Sequence, residues 1–171
     1  MKVGSYDKAL NVLENMQENN VMFSKFALSA LLYCHVMQRS VESAEMTFQT
    51  MFTSRFSDKV AYTNMLNLYT DEGLIEKAKE LIIKLKDYSM DFDIELYGSI
   101  INVYCKAGMI SDAELLIKEM EANGMLVDQI PMTTLMQAYG KLYNYAARKD
   151  WCIHIKHFSQ TLSLKWQSIE R

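Results

Sequence analysis

Apolar side chains along this chain recur at helical spacing, and the whole pattern returns about every 35 residues. An alanine marks the register: Ala9, Ala44, Ala78 and Ala113 stand 35, 34 and 35 residues apart. A bulky apolar side chain follows each alanine by four residues (Leu13, Phe48, Ile82, Ile117), and another by seven (Met16, Met51, Leu85, Met120). Those offsets lie on one face of an α-helix. Three residues before each alanine stands Tyr6, Val41, Ile75 or Ile110. A second stripe precedes each of these helices: Leu31–Leu32, Met65–Leu66, Ile100–Ile101 and Leu135–Met136, with His35, Tyr69, Tyr104 or Tyr139 a turn later. Each period therefore predicts two antiparallel helices, with turns near 38–41, 72–74 and 107–110 and no strand.

Turn chemistry supports this division. Gly73 and Gly108 fall between the two stripes, where a residue without Cβ lets the chain reverse through a left-handed conformation. Asp7, Glu42, Glu76 and Asp112 open the second helices, where the positive end of the helix dipole favours an acid, and Ser111 with Glu114 is predicted to form a capping box. A lone amphipathic hairpin cannot bury both of its faces, so neighbouring units must stack. The expected fold class is all-α: an α-solenoid of stacked helix-turn-helix repeats, wound as a right-handed superhelix around a concave groove. On this register residues 1–24 are a partial repeat, 25–58, 59–93 and 94–128 are repeats, and 129–147 are a second partial repeat. Residues 148–171 diverge from the pattern, but Trp151, Ile155, Phe158, Leu162 and Ile169 fall on one helical face and predict a helix capping the open end. Met1 lies inside what should be a first helix, so the chain reads as a fragment.

Composition narrows the function classes. Half the residues are hydrophobic and only one is proline, as in a folded, helix-rich protein. No apolar run approaches the ~20 residues of a membrane span, and no membrane association is expected. Cys34, Cys105 and Cys152 are far apart and form no Cys-x-x-Cys unit, which argues against a disulfide framework or a thiolate zinc site. Cys152, His154 and His157 have metal-ligating atoms, but no fourth ligand accompanies them and no metal is expected. The sequence carries no Gly-rich phosphate loop, paired carboxylates or Ser/His/Asp arrangement; neither catalytic residues nor a cofactor are expected. The net charge is −3, distributed unevenly: residues 1–147 hold 13 basic and 19 acidic side chains, and residues 148–171 hold five and two. A mildly acidic array lacks the cationic excess usual in nucleic-acid binders, which weighs against strong phosphate binding.

The units at 59–93 and 94–128 resemble pentatricopeptide repeats. The likeness rests on Tyr62 and Tyr97 near the unit start, the Tyr-Cys-Lys-Ala-Gly run at 104–108, helix ends such as Ile117 to Met120, and an aspartate closing each unit at Asp58, Asp93 and Asp128. It spans roughly residues 1–145. Units of 34–35 residues without longer and shorter variants are similar to the plain-repeat subclass. Tetratricopeptide repeats share the architecture but want Trp and Gly in the first helix, which are absent; a protein-binding scaffold of that kind is the alternative function.

The resemblance implies sequence-selective binding of single-stranded RNA, one base per unit, with RNA-processing proteins as further partners and organellar RNA processing, stability, splicing or translation as the role. It places the protein in a chloroplast before a mitochondrion. Base reading in the family falls to the fifth residue of a unit together with its last: here Ser29 with Asp58, Thr63 with Asp93, Gly98 with Asp128, and Thr133 in the unit opening at Gln129. Ser or Thr with Asp resembles the guanine-preferring combination, whereas Gly98 has no side chain to read with. Phe26, Val60 and Ile130 match the apolar second residue that wedges bases, where Glu95 departs; Lys106 and Lys141 match the phosphate-contacting lysines, replaced by Met37 and Asp71 elsewhere.

Overall fold

The computed structural model describes residues 8, 11, 12, 15, 23–87, 91–125 and 129–143, the side chains at 87, 129–132, 142 and 143 excepted. Residues 8, 11, 12 and 15 are helical, and from Lys25 on the described residues form seven consecutive helices: α1 Lys25–Met37, α2 Val41–Thr53, α3 Lys59–Asp71, α4 Ile75–Asp87, α5 Ile94–Lys106, α6 Ile110–Ala122 and α7 Gln129–Tyr143. No strand occurs among the described residues. Odd-numbered helices start at Lys25, Lys59, Ile94 and Gln129, 34, 35 and 35 residues apart, so the hydrophobic period is also the structural one.

Three helix starts and five helix ends have identifiable causes. Ser24, Asp58 and Asp93 are extended residues whose side-chain oxygens accept from the backbone N–H of Ala27, Ala61 and Leu96 at 3.3, 3.1 and 2.9 Å, satisfying donors the helix itself leaves open. Helices α1, α2, α3, α5 and α6 end in a left-handed residue, and the next N–H returns to a carbonyl five residues back: Ser40 to His35, Phe56 to Met51, Leu74 to Tyr69, Met109 to Tyr104 and Met125 to Met120. Glycine takes the left-handed position at 73, 108 and 124, where φ is 71–73°. Arg39 and Arg55 hold the equivalent places at φ 57° and 58°, at the steric cost glycine avoids. The turns fall at 38–40, 72–74 and 107–109, as the sequence predicts.

The described stack is an all-α solenoid. Odd helices α1, α3, α5 and α7 pack side by side as one layer, while α2, α4 and α6 each bridge their own partner and the next odd helix, with scarcely any contact among themselves. The layer of odd helices is therefore the compact, concave side, and the even helices fan outward. Ala44, Ala78 and Ala113 are completely buried, as are Met51, Leu85 and Met120 seven residues on. On the odd helices Leu32, Met65, Leu66, Ile100, Ile101 and Leu135 fill the interior. Polar links stitch successive pairs across this core: Tyr69 donates to Glu45 at 2.9 Å, Tyr139 donates to Glu114, and Lys77 pairs with Glu45 at 2.7 Å.

Two expectations are corrected. Ser111 and Glu114 form no capping box, because α6 opens at Ile110 with Met109 as its N-cap and no side-chain cap bond. The tight turn after α5 uses Met109 both to close one helix and to start the next, leaving Ser111 already inside the helix. Met136, placed on the core stripe by its pattern, is 48% exposed, so only Leu135 of that pair packs inward. The tail at 148–171, with Cys152, His154 and His157, lies outside the described residues, as do Ala9 and its column neighbours.

Candidate functional site

The candidate site lies along one face of the odd helices. The second residue of these helices is apolar yet open to solvent, with Phe26 85% and Val60 60% exposed, and Glu95, also exposed, stands at this place on α5. An aromatic and a branched aliphatic side chain left this open gain nothing from the fold and are available for stacking or wedging. Ile130 begins α7 in register with them, but its side chain lies outside the described set.

Three residues on come Ser29, Thr63, Gly98 and Thr133, of which the first three are half-buried and Thr133 is exposed. Their hydroxyls are not equivalent. Ser29 Oγ donates to its own helix at Lys25 O, 2.9 Å away, whereas Thr63 has no hydrogen-bond partner among the described residues. Steps of four residues then continue the same face through Tyr33, Asn67, Asn102 and Gln137, and through Met37, Asp71, Lys106 and Lys141. Sequence reasoning passed over the Tyr33, Asn67, Asn102 and Gln137 row; the signal that would have found it is the i+4 spacing from the fifth residue. Where α3, α5 and α7 run side by side, this face holds a cleft of about 560 Å³ lined by Asp71, Asn102, Lys106, Gln137 and Lys141 among others.

The closing aspartates do not touch the fifth residues. Asp58 and Asp93 cap α3 and α5, and Asp58 also pairs with Lys25 at 3.0 Å; no bond joins Thr63 to Asp93. Asp128 lies outside the described residues. Each capping carboxylate nonetheless stands at the start of an odd helix, beside the exposed second residue, and Asp93 keeps one oxygen uncommitted.

The cleft's charge is partly cancelled from within. Lys106 Nζ donates to Thr70 O at 2.9 Å and approaches Asp71 Oδ1 at 3.8 Å, so this cation is held between neighbouring helices, while Lys141 is exposed at the matching place on α7. Burial pushes the Cys105 thiol up to about 11, which keeps it protonated and unreactive. Among the described residues no group of three His, Cys, Asp or Glu side chains is arranged to hold a metal ion.

The family model for the PPR repeat matches residues 1–21, 60–90 and 95–125. A pentatricopeptide repeat-containing protein of Arabidopsis thaliana is 36% identical over 135 residues, 79% of this chain. The chain belongs to the pentatricopeptide-repeat family. It spans 13% of the length of that curated relative. Two of the matched stretches, 60–90 and 95–125, cover α3 with α4 and α5 with α6, the central pairs of the described stack. Solved pentatricopeptide-repeat structures share the fold. The PPR domain of Arabidopsis thaliana protein-only RNase P 1, in complex with tRNA, superposes with a TM-score of 0.65 at 16% identity over 96% of this chain and 91% of that one. Maize PPR10 in complex with an 18-nt psaJ RNA element gives 0.60 at 22% identity, covering 75% of this chain and 19% of its own.

Proposed function

We propose that this pentatricopeptide-repeat array binds single-stranded RNA along the concave face of its odd helices, one nucleotide per unit, with units at 25–58, 59–93 and 94–128. The observation that carries the reading is the exposed apolar second residue, Phe26 and Val60, followed by a polar fifth residue on the same face at the same spacing. No folding reason accounts for that combination, whereas a splayed nucleotide supplies both an apolar ring face and a polar edge. Phe26, Val60 and Ile130 wedge bases; Ser29 with Asp58, Thr63 with Asp93, Gly98 with Asp128, and Thr133 read them; Lys106 and Lys141 meet phosphates. Assignment to the plain-repeat subclass, a role in organellar RNA processing, stability, splicing or translation, a place in the chloroplast before the mitochondrion, and RNA-processing proteins as further partners belong to the same proposal.

Binding is weak and salt-sensitive on this account, because Asp71 and Met37 occupy two of the four lysine places and Lys106 is engaged by Thr70 and Asp71. Fluorescence anisotropy with labelled RNA and DNA of the same sequence, at low and moderate salt, tests it. RNA preference with affinity falling as salt rises is the expected result. Absence of binding to either would leave the array as a protein-binding scaffold.

A further inference from the structure

Gly98 leaves a gap in the concave wall that neither the backbone nor the packing requires. It sits in the middle of α5 in ordinary helical conformation, and a Cβ built there would meet nothing within 4 Å. Glycine at such a place weakens a helix without relieving any clash. Resting on the RNA-binding reading above, we propose that the nucleotide facing the 94–128 unit is read by Asn102, one turn along α5, which takes over the role that the fifth residue plays elsewhere.

Asn102 is placed and chemically equipped for this. Four residues beyond Gly98, it lies on the same helix face, about 6 Å further along the axis. Its side chain is half-buried and lines the cleft shared with Lys106, Gln137 and Lys141. Yet the carboxamide makes no hydrogen bond among the described residues. Without a side chain at 98, a base can approach the helix closely and slide toward this group. A carboxamide offers a donor and an acceptor side by side, which matches the paired donor and acceptor on the edge of a base.

The preceding unit shows the opposite arrangement. There Asn67 occupies the place of Asn102, but its Oδ1 accepts from Ser99 Oγ at 2.9 Å and the group is committed to the neighbouring helix. One turn earlier in that unit, Thr63 is the polar group without a partner. Of the fifth and ninth residues, each of these two units thus leaves one polar side chain without a hydrogen bond among the described residues: the fifth where it has a side chain, and the ninth where the fifth is glycine. Lys106, a further turn along α5, adds positive potential beside Asn102.

The test uses the full 171-residue chain and sets of labelled RNA oligomers in which each nucleotide in turn is varied among the four bases, read by anisotropy at low salt. At one nucleotide the native chain should discriminate about tenfold, and Asn102→Ala should reduce this to below about twofold, since a bidentate contact carries discrimination of that order. The melting midpoint of Asn102→Ala should match the native chain, the lost group having no internal bonds. Gly98→Thr, which the open space admits, should restore a preference at the same nucleotide in the Asn102→Ala background. Unchanged discrimination in Asn102→Ala at every position overturns the proposal. If Gly98→Thr then creates a preference, that unit was blind to base identity and the general reading survives; if it creates none while RNA still binds, fifth-residue reading fails as well. Absence of RNA binding by every chain, native included, overturns both.

Discussion

Asp93 has been given two tasks, capping α5 and orienting a base for Thr63, and substitution can separate them. Its Oδ1 accepts from Leu96 N at 2.9 Å, so Asp93→Ala leaves an unsatisfied donor at the first turn of α5. That helix carries the completely buried Leu96, Ile100 and Ile101, so its first turn is not free to fray into solvent. Losing such a cap costs about 1 kcal/mol, within a range of roughly 0.5–2. For a chain of this size the melting midpoint should drop by about 2–4 °C per kcal/mol. Asparagine caps nearly as well as aspartate, and Asp93→Asn gives up only the charge at the positive end of the helix dipole, a few tenths of a kcal/mol at this half-buried end. Thermal melts followed by circular dichroism should therefore place Asp93→Asn close to the native chain and Asp93→Ala below it. RNA titrations divide differently: if the free oxygen of Asp93 helps to orient a base, Asn and Ala both alter preference at the nucleotide facing Thr63. Equal destabilisation by both variants would refute the cap assignment. Asp93→Asn with unchanged base preference would confine the residue to capping.

Three other outcomes follow from particular contacts. Arg55 is left-handed at φ 58° where Gly124 holds the matching place after α6, so Arg55→Gly should raise stability by about 0.5–1 kcal/mol in urea denaturation, the relief of left-handed strain exceeding the added freedom of the unfolded chain. No gain, or a loss, would contradict it. Burial works against charge on Glu45, but hydrogen bonds from Lys77 and Tyr69 and the Lys77 charge outweigh it and hold the carboxyl below its ordinary value near 4.5. A lowered folded-state value means the contribution is present above about pH 4.5 and disappears as pH falls through the folded-state value; the melting difference between the native chain and Lys77→Met should be largest near neutrality and vanish in acid. A pH-independent difference would dismiss the pair. Finally, Thr63→Asn with Asp93 kept should shift preference at one nucleotide from guanine toward uracil, by about 1–3 kcal/mol at most, without changing the fold; an unchanged preference in a chain that still binds RNA removes Thr63 from the reading set.

The architecture was legible because burial repeats. Alanine at 44, 78 and 113 and bulky side chains seven residues later recur only if the same inter-helix contact recurs, and the structure buries all six completely. Turn positions followed from Gly73 and Gly108, whose left-handed φ is what the sequence anticipates for that residue type. The turn near Arg39 followed from the repeat spacing alone, while the left-handed conformation of Arg39 and Arg55 was hidden, because arginine does not advertise one. Helix starts were misjudged where capping is local. Ser111 and Glu114 have capping-box spacing, but the preceding turn sets the first residue of α6 two positions too early for them. Asp58 and Asp93 were seen as unit-closing residues, yet an acid directly before a first helix is also the ordinary signature of an N-cap.

The candidate face was half legible. Exposed apolar residues cannot be told from core residues by hydrophobicity alone, so Phe26 and Val60 stood out only through family resemblance, and their exposure came from the structure. The difference between two members of the ninth-position row was invisible for a related reason. Asn67 and Asn102 are the same residue type at the same place, and only the bond from Ser99 to Asn67 distinguishes a committed carboxamide from an open one.

Photo-crosslinking from the two sides of the solenoid tests the central claim most directly. A photoreactive phenylalanine analogue at Val60, exposed on the concave face of α3, and another at Ile83, 63% exposed on the even helix α4, report which surface RNA lies against. RNA bound along the odd helices should crosslink from position 60 and not from position 83. Crosslinks from position 83, or none from position 60 while the chain retains RNA, would contradict the account.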